Sequence, residues 1–294
     1  MRKLILGTDW CADCDDVVAV RLLARMHKAG KIQLAGIGIN QCVPFSVASL
    51  DAFLQNEGVT DMPLGIDLDA TDYVGKPEYQ ARMAQLPSRY TANEDVGSAV
   101  SLYRRILAES DEPLEIVEIG FLQVAANTLM SGPDEISPKT GMELFREKVK
   151  KMWIMAGKWD EEGGKEYNFC RTERTRIASS VICRLCPVPI TFLGWEIGCD
   201  VITGGLAPDD DVMRIALMDH GSGSGRMSWD PMTAMLAVIG NEKEAGYDTV
   251  RGTASVDVTD GANHFEESVD GPHLYVKKVR ENEFYQKMIN DIVS

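Results

Sequence analysis

The chain has 294 residues, 45% of them hydrophobic and 26% charged, and carries a formal net charge of −15. It is long enough to bury a sizeable core, and its acidic balance argues against nucleic acid as a partner, because a phosphate backbone needs a basic footprint. No stretch approaches the roughly eighteen apolar residues of a membrane span, and the apolar start of the chain ends at Gly7, too short for a signal peptide. The expectation is therefore a cytoplasmic protein with no membrane partner.

In chain order, Lys3–Thr8 is the first of five short apolar runs that read as buried parallel strands. Ile32–Ile39, Leu114–Ile119, Met152–Ala156 and Ile190–Leu193 are the others. Between them lie helix-like segments at Asp16–Lys28, Ser46–Asn56 and Ala99–Ser110. The last puts Val100, Leu102, Tyr103, Ile106 and Leu107 on one face. Polar, glycine-rich stretches at Gly157–Lys165, Ala207–Asp211 and His220–Gly225 interrupt the pattern, but none is long enough for a linker. From Thr249 to Lys278 the chain reads as strand, with Val256 and Val258 alternating. The pattern predicts one α/β domain over residues 1–294, an open and mainly parallel sheet with helices on both faces. In such sheets ligands sit at the carboxyl ends of the strands.

The unusual residues fall there. Directly after the first strand come Asp9, Asp13, Asp15 and Asp16, four carboxylates in eight residues, and then the helical Val17–Val20. Left bare they would repel one another; solvation or a hard cation with oxygen ligands relieves this. The N-terminus of a helix also favours negative charge at Asp15 and Asp16. A solvated capping loop is the plain alternative, and the position after strand one favours a metal or catalytic role. An EF-hand would need Asp-x-Asp-x-Asp-Gly and a later glutamate, which are missing. A haloacid-dehalogenase-like phosphatase would place Asp-x-Asp at once after the strand, where Cys11 stands. A Mg²⁺-dependent phosphohydrolase stays open as the enzymatic alternative.

The sequence at this point resembles the inosine-uridine-preferring nucleoside hydrolase family, and most closely a divergent bacterial type with a longer Asp-rich loop. That family opens with a strand, Asp-x-Asp-x-Gly-x-Asp-Asp, and a helix; this chain has Gly7-Thr8-Asp9 and, further on, Asp15-Asp16. Three more segments are similar: Glu118-Ile119-Gly120, Met155-Ala156-Gly157 with Glu166-Tyr167-Asn168, and Ser228-Trp229-Asp230-Pro231. The resemblance implies Ca²⁺ held by Asp9, Asp16, Asp230 and the Ile119 carbonyl, with Asp9 as general base toward water. It implies that Asp15, Glu166 and Asn168 grip ribose hydroxyls, and that the reaction is hydrolysis of an N-glycosidic bond in a ribonucleoside or related ribosyl compound. A homodimer or homotetramer follows from the same likeness.

The departures from the family lie at Gly7, which replaces its first aspartate, at Arg171-Thr172-Glu173, where an Asp-Pro pair usually follows, and at Trp229, which replaces a histidine able to protonate a leaving base. A calcium-holding relative that binds a ribosyl ligand without turnover is therefore the non-enzymatic alternative. Trp10, Trp195 and Trp229 stand in or beside these segments, where an indole either stacks on a base or packs in the core. Trp229 is the candidate for the base. His220 reads as a solvated loop residue or as a replacement proton donor, and His264 and His273 as surface or strand-edge residues. The seven cysteines, including the pairs Cys11/Cys14 and Cys183/Cys186, read as free thiols rather than a zinc site.

Overall fold

The structure is a computed structural model that describes residues 1–11, 13–72 and 78–294. Alternation along the first strand, β1 (Arg2–Thr8), sends Leu4 and Leu6 into one apolar core and Ile5 into the other. The same division recurs at β5 (Leu114–Glu118), where Ile116 and Val117 face opposite cores, and at β6 (Val149–Met155), where Trp153 opposes Ile154. These strands are buried on both faces, which is why they read as unbroken apolar runs.

The remaining strands are β2 (Ile32–Ile39), β3 (Leu64–Ile66), β4 (Gly97–Ser98), β7 (Ile190–Leu193), β8 (Ile202–Thr203), β9 (Arg226–Met227), β10 (Tyr247–Val256), β11 (Asn263–Glu267) and β12 (His273–Lys278). Among the described residues ten of them form one sheet in the order β11-β10-β12-β7-β6-β5-β1-β2-β3-β4, and β8 pairs with β9 separately. Within the large sheet, pairing between the described strands is parallel from β12 through to β4 and antiparallel where β10 meets β11 and β12; the β8–β9 pair is antiparallel. The expected open, mainly parallel α/β sheet is therefore the observed one, and its strand-like tail supplies the antiparallel edge.

Helices cover both faces. Asp15–Lys28, Ser46–Asn56 and Trp229–Ile239 contribute to one core, and Ala99–Glu109, Gln123–Met130 and Glu173–Leu185 to the other. The fourth expected strand begins at Val149 rather than Met152, because Lys150 and Lys151 interrupt the apolar run without breaking the pairing. None of the described helices is long and apolar enough to cross a membrane. All seven cysteines are free thiols. His273, expected as a surface or strand-edge residue, is the first residue of β12 and is buried: it is 1% exposed, its Nδ1 accepts from Ala254 N at 2.9 Å, and burial pushes its pKa down to about 4.

Candidate functional site

The carboxyl ends of β1, β5 and β6 border a cavity of about 340 Å³. It gathers the residues given a metal, base or substrate role above: Asp9, Asp15, Asp16, Ile119, Glu166, Asn168, Trp229 and Asp230. Cys11, Asp13, Met155, Tyr167 and Trp195 line it too.

The loop after β1 is held by local hydrogen bonds. Asp9 Oδ1 accepts from Cys11 N at 3.2 Å, and Asp16 Oδ1 accepts from the Thr8 hydroxyl and, at 3.3 Å, from Trp10 N. Trp10 has φ of 49°, a left-handed backbone that a bulky residue keeps only when its surroundings enforce it. They do so here: the indole is fully buried, donates to Ser49 Oγ at 2.8 Å and meets Tyr79 edge-on. Trp10 is thus a core residue that shapes the loop, and it does not reach the cavity.

Two helices point their N-termini at the site. Asp15 and Asp16 lie in the first turn of Asp15–Lys28, Asp230 in the first turn of Trp229–Ile239, and Asp15 Oδ2 accepts from Asp230 N at 3.1 Å. Both helix dipoles therefore favour the same concentration of negative charge. Asp15, Asp16 and Asp230 each offer an oxygen within 4.8 Å of the others, and all three are buried. Asp9 borders the cavity outside that group of three. Burial and mutual repulsion raise the carboxyl groups of Asp15, Asp16 and Asp230 well above the usual range, and raise Asp9 to about 8. Arg226, whose charge reaches Asp15, is already held in a two-pronged pair with Asp13, at 2.7 Å to Oδ1 and 2.5 Å to Oδ2. An all-oxygen, buried and uncompensated donor set fits a hard divalent cation.

Opposite this cluster, Glu166 Oε1 accepts from Asn168 N at 2.8 Å and its Oε2 from Gly157 N at 3.0 Å. Burial, with the charge of Glu196, pushes the Glu166 carboxyl up to about 7. Asn168 Nδ2 donates to Met155 O at 3.0 Å, which fixes the amide plane. At the mouth, Trp229 Nε1 donates to Trp195 O at 2.7 Å, and the two indoles meet at 6.3 Å and 33°.

His220 lies outside the described cavity lining, with Nδ1 2.9 Å from Ser222 Oγ and Nε2 3.7 Å from Glu78. A second possible metal group, Asp13, Cys14 and His220, has its carboxylate already occupied by Arg226. Sequence reasoning missed Arg226, Thr8, Tyr167 and Met155 as parts of the site. Tyr167 and Met155 were visible as members of the Glu166 and Met-Ala-Gly segments. Arg226 had no local signal, since its partner is 213 residues away.

No protein-family model matches the sequence, and no curated protein matches it either. The architecture, by contrast, is one shared by solved nucleoside hydrolases. The chain is similar to a plant nucleoside hydrolase, PpNRh1, with a TM-score of 0.74 and 16% identity over 99% of this chain and 98% of that one. It is similar to a purine-preferring ribonucleoside hydrolase from Gardnerella vaginalis at a TM-score of 0.72, 18% identity and 99% of both chains. An inosine-uridine preferring nucleoside hydrolase from Bacillus anthracis matches at 0.69 and 16%, covering 100% and 99%. At such identities the likeness establishes the fold.

Proposed function

We propose that this chain is a calcium-dependent N-ribosyl hydrolase that cleaves a ribonucleoside, or a related N-ribosyl compound, to ribose and free base. The observation that carries the reading is one cavity in which three buried carboxylates face the Glu166–Asn168 pair. The fold, shared with enzymes described as nucleoside hydrolases, supports it.

Asp16 and Asp230, with Asp9 and the Ile119 carbonyl, would hold Ca²⁺, and the ion would supply the charge that lowers the pKa of the attacking water. Asp9 takes the proton of the attacking water as general base. Asp15, with one oxygen on Asp230 N, turns the other to a ribose hydroxyl. Glu166 and Asn168 bind the remaining hydroxyls, and backbone donors fix the glutamate in advance. The buried negative charge stabilises the oxocarbenium-like sugar as the base departs. Trp229 stacks against that base.

The phosphohydrolase alternative loses support, because the described lining holds no lysine or arginine to meet a phosphate. One observation favours the turnover-free alternative: the described lining holds no histidine to protonate a leaving base. The test is reducing-sugar release from a panel of ribonucleosides, with and without chelator, on the native protein and on Asp9→Asn. Release that the chelator and the substitution both abolish is expected. Calorimetric binding of nucleosides with no release would transfer the assignment to a ribosyl-binding protein.

The same reading takes residues 1–294 as one domain working in the cytoplasm as a homodimer or homotetramer. Sedimentation velocity of the native protein checks the assembly.

A further inference from the structure

Three neighbouring strands meet in one row just below the cavity: Gly38 of β2 pairs with Gly7 of β1, and Gly7 pairs with Glu118 of β5. Two glycines side by side in the middle of a sheet leave an opening, and two large side chains fill it. A Cβ on Gly38 would lie 2.7 Å from Tyr103 Cε1, and a Cβ on Gly7 would overlap the Glu118 carboxyl outright. Glu118 is fully buried, and its Oε1 accepts from the Tyr103 hydroxyl at 3.0 Å. Its Oε2 accepts from Asn40 Nδ2 at 3.5 Å.

Asn40 continues the connection upward. Its Oδ1 accepts from Phe121 N at 3.0 Å, and its own N donates to Thr8 O at 2.9 Å. Ile119 N donates to Gly7 O at 2.9 Å. The turn at residues 119–121 lies so close to the loop after β1 that a Cβ on Gly120 would collide with Asp9 N and sit 2.9 Å from Asp9 Cβ. The buried acid at the carboxyl end of β5 is thus linked, through one amide, to the turn that bears Ile119 and to the backbone that bears Asp9.

We propose that Glu118 is a positioning residue whose carboxyl fills the slot opened by Gly7 and, through Asn40, holds the 119–121 turn against Asp9. The inference rests on the calcium and hydrolase reading above. It gives Gly7 a reason: the acidic side chain in this slot comes from β5 instead of β1, and a side chain at both positions cannot fit. Glu118 touches no substrate and acts only by fixing how far apart Asp9 and Ile119 stand.

The test measures calcium affinity by calorimetry, together with kcat and KM for sugar release. It uses the native protein, Glu118→Gln, Glu118→Ala, and Glu118→Ala combined with Gly7→Asp. Glu118→Gln, which keeps the shape, an acceptor for Asn40 Nδ2 and an amide N–H that can donate to the Tyr103 hydroxyl, is expected within about twofold of native. Glu118→Ala is expected to weaken calcium binding and lower kcat by about tenfold each, with KM little changed, as removing support behind ligands typically does. Gly7→Asp in the Glu118→Ala background refills the slot from β1 and is expected to restore affinity to within about threefold.

An unchanged calcium affinity in Glu118→Ala, or a double variant weaker than Glu118→Ala, overturns the proposal. A native protein that binds calcium but releases no sugar sinks the hydrolase reading alone, and the calcium affinities still decide the role of Glu118. A native protein without calcium affinity overturns both. Should Glu118→Ala fail to fold, Tyr103→Phe removes one bond of the slot; about threefold weaker calcium binding supports the proposal, and native affinity overturns it.

Discussion

On the carboxylate side of the cavity, Asp9, Asp15, Asp16 and Asp230 are all buried, and the first three accept from backbone or hydroxyl donors. On the opposite lip, Trp195 is 42% exposed and Trp229 is only partly buried, with one hydrogen bond joining them. The contrast teaches how the two halves can change. On the proposed reading, moving one carboxylate removes a ligand from the cation that the others share and leaves them as buried like charges, so this side is coupled and intolerant. Exchanging an indole alters a half-exposed surface whose other partners, Arg226 over Trp229 and Lys158 over Trp195, are flexible side chains, so the indole side can vary at less cost to the fold.

The most direct way to break this contrast is to remove one residue from each side. Asp230→Ala is expected to lower sugar release by about a thousandfold or more, in the range of losing a main electrostatic element of a site. Trp229→Phe is expected to raise KM by about fivefold or less, since one stacking contact is worth about a kcal/mol. Steady-state kinetics on both variants checks the pair, and comparable losses would dissolve the distinction.

The leaving-group side predicts its own signature. Because no histidine lines the described cavity, a riboside bearing 4-nitrophenolate, which departs without a proton, should turn over at least about tenfold faster than inosine. Equal rates would mean that a proton donor reaches the base after all.

Stability against pH sharpens the cation side. Without calcium, the Asp9 carboxyl has its pKa raised from 3.8 to about 8, so the folded state holds a proton that the unfolded state has released. Its contribution is full below about pH 4 and is lost as pH rises toward 8. Calcium competes with that proton, so the rise in Tm on adding calcium should be larger at pH 8 than at pH 6. Differential scanning fluorimetry at both pH values reads it, and a shift that shrinks with pH would contradict the cluster.

The smallest effect lies outside both walls and serves as their control. Burial lowers His273 from 6.5 to about 4, so its stabilising contribution is present above pH 6.5 and is lost as pH falls toward 4. His273→Gln should flatten the acid limb of the melting curve and leave the calcium shift untouched.

Much of the frame was legible because parallel strands buried on both faces leave unbroken apolar runs such as Lys3–Thr8 and Ile32–Ile39. The aspartates were legible because four carboxylates after a buried strand demand an explanation. β3 escaped notice because it is three residues long, and the Trp229–Ile239 helix because burial all round erases its amphipathic stripe. Arg226 with Asp13 and Glu118 with Gly7 were invisible for another reason: each pair is joined only by the fold, and no window of sequence contains both members.

The hydrogen bond from Asp230 N to Asp15 spans 215 residues of chain. During synthesis at roughly 5–20 residues per second, the first helix waits roughly ten to forty seconds for its counterpart. Until then the early aspartates have their local bonds from Thr8, Trp10 and Cys11, one helix terminus and solvent to steady them, and lack Asp230. If the proposed reading holds, cation capture is timed by the ribosome: the full set of carboxylates exists only when the last third of the chain arrives, and it then ties the first helix to a segment 215 residues away.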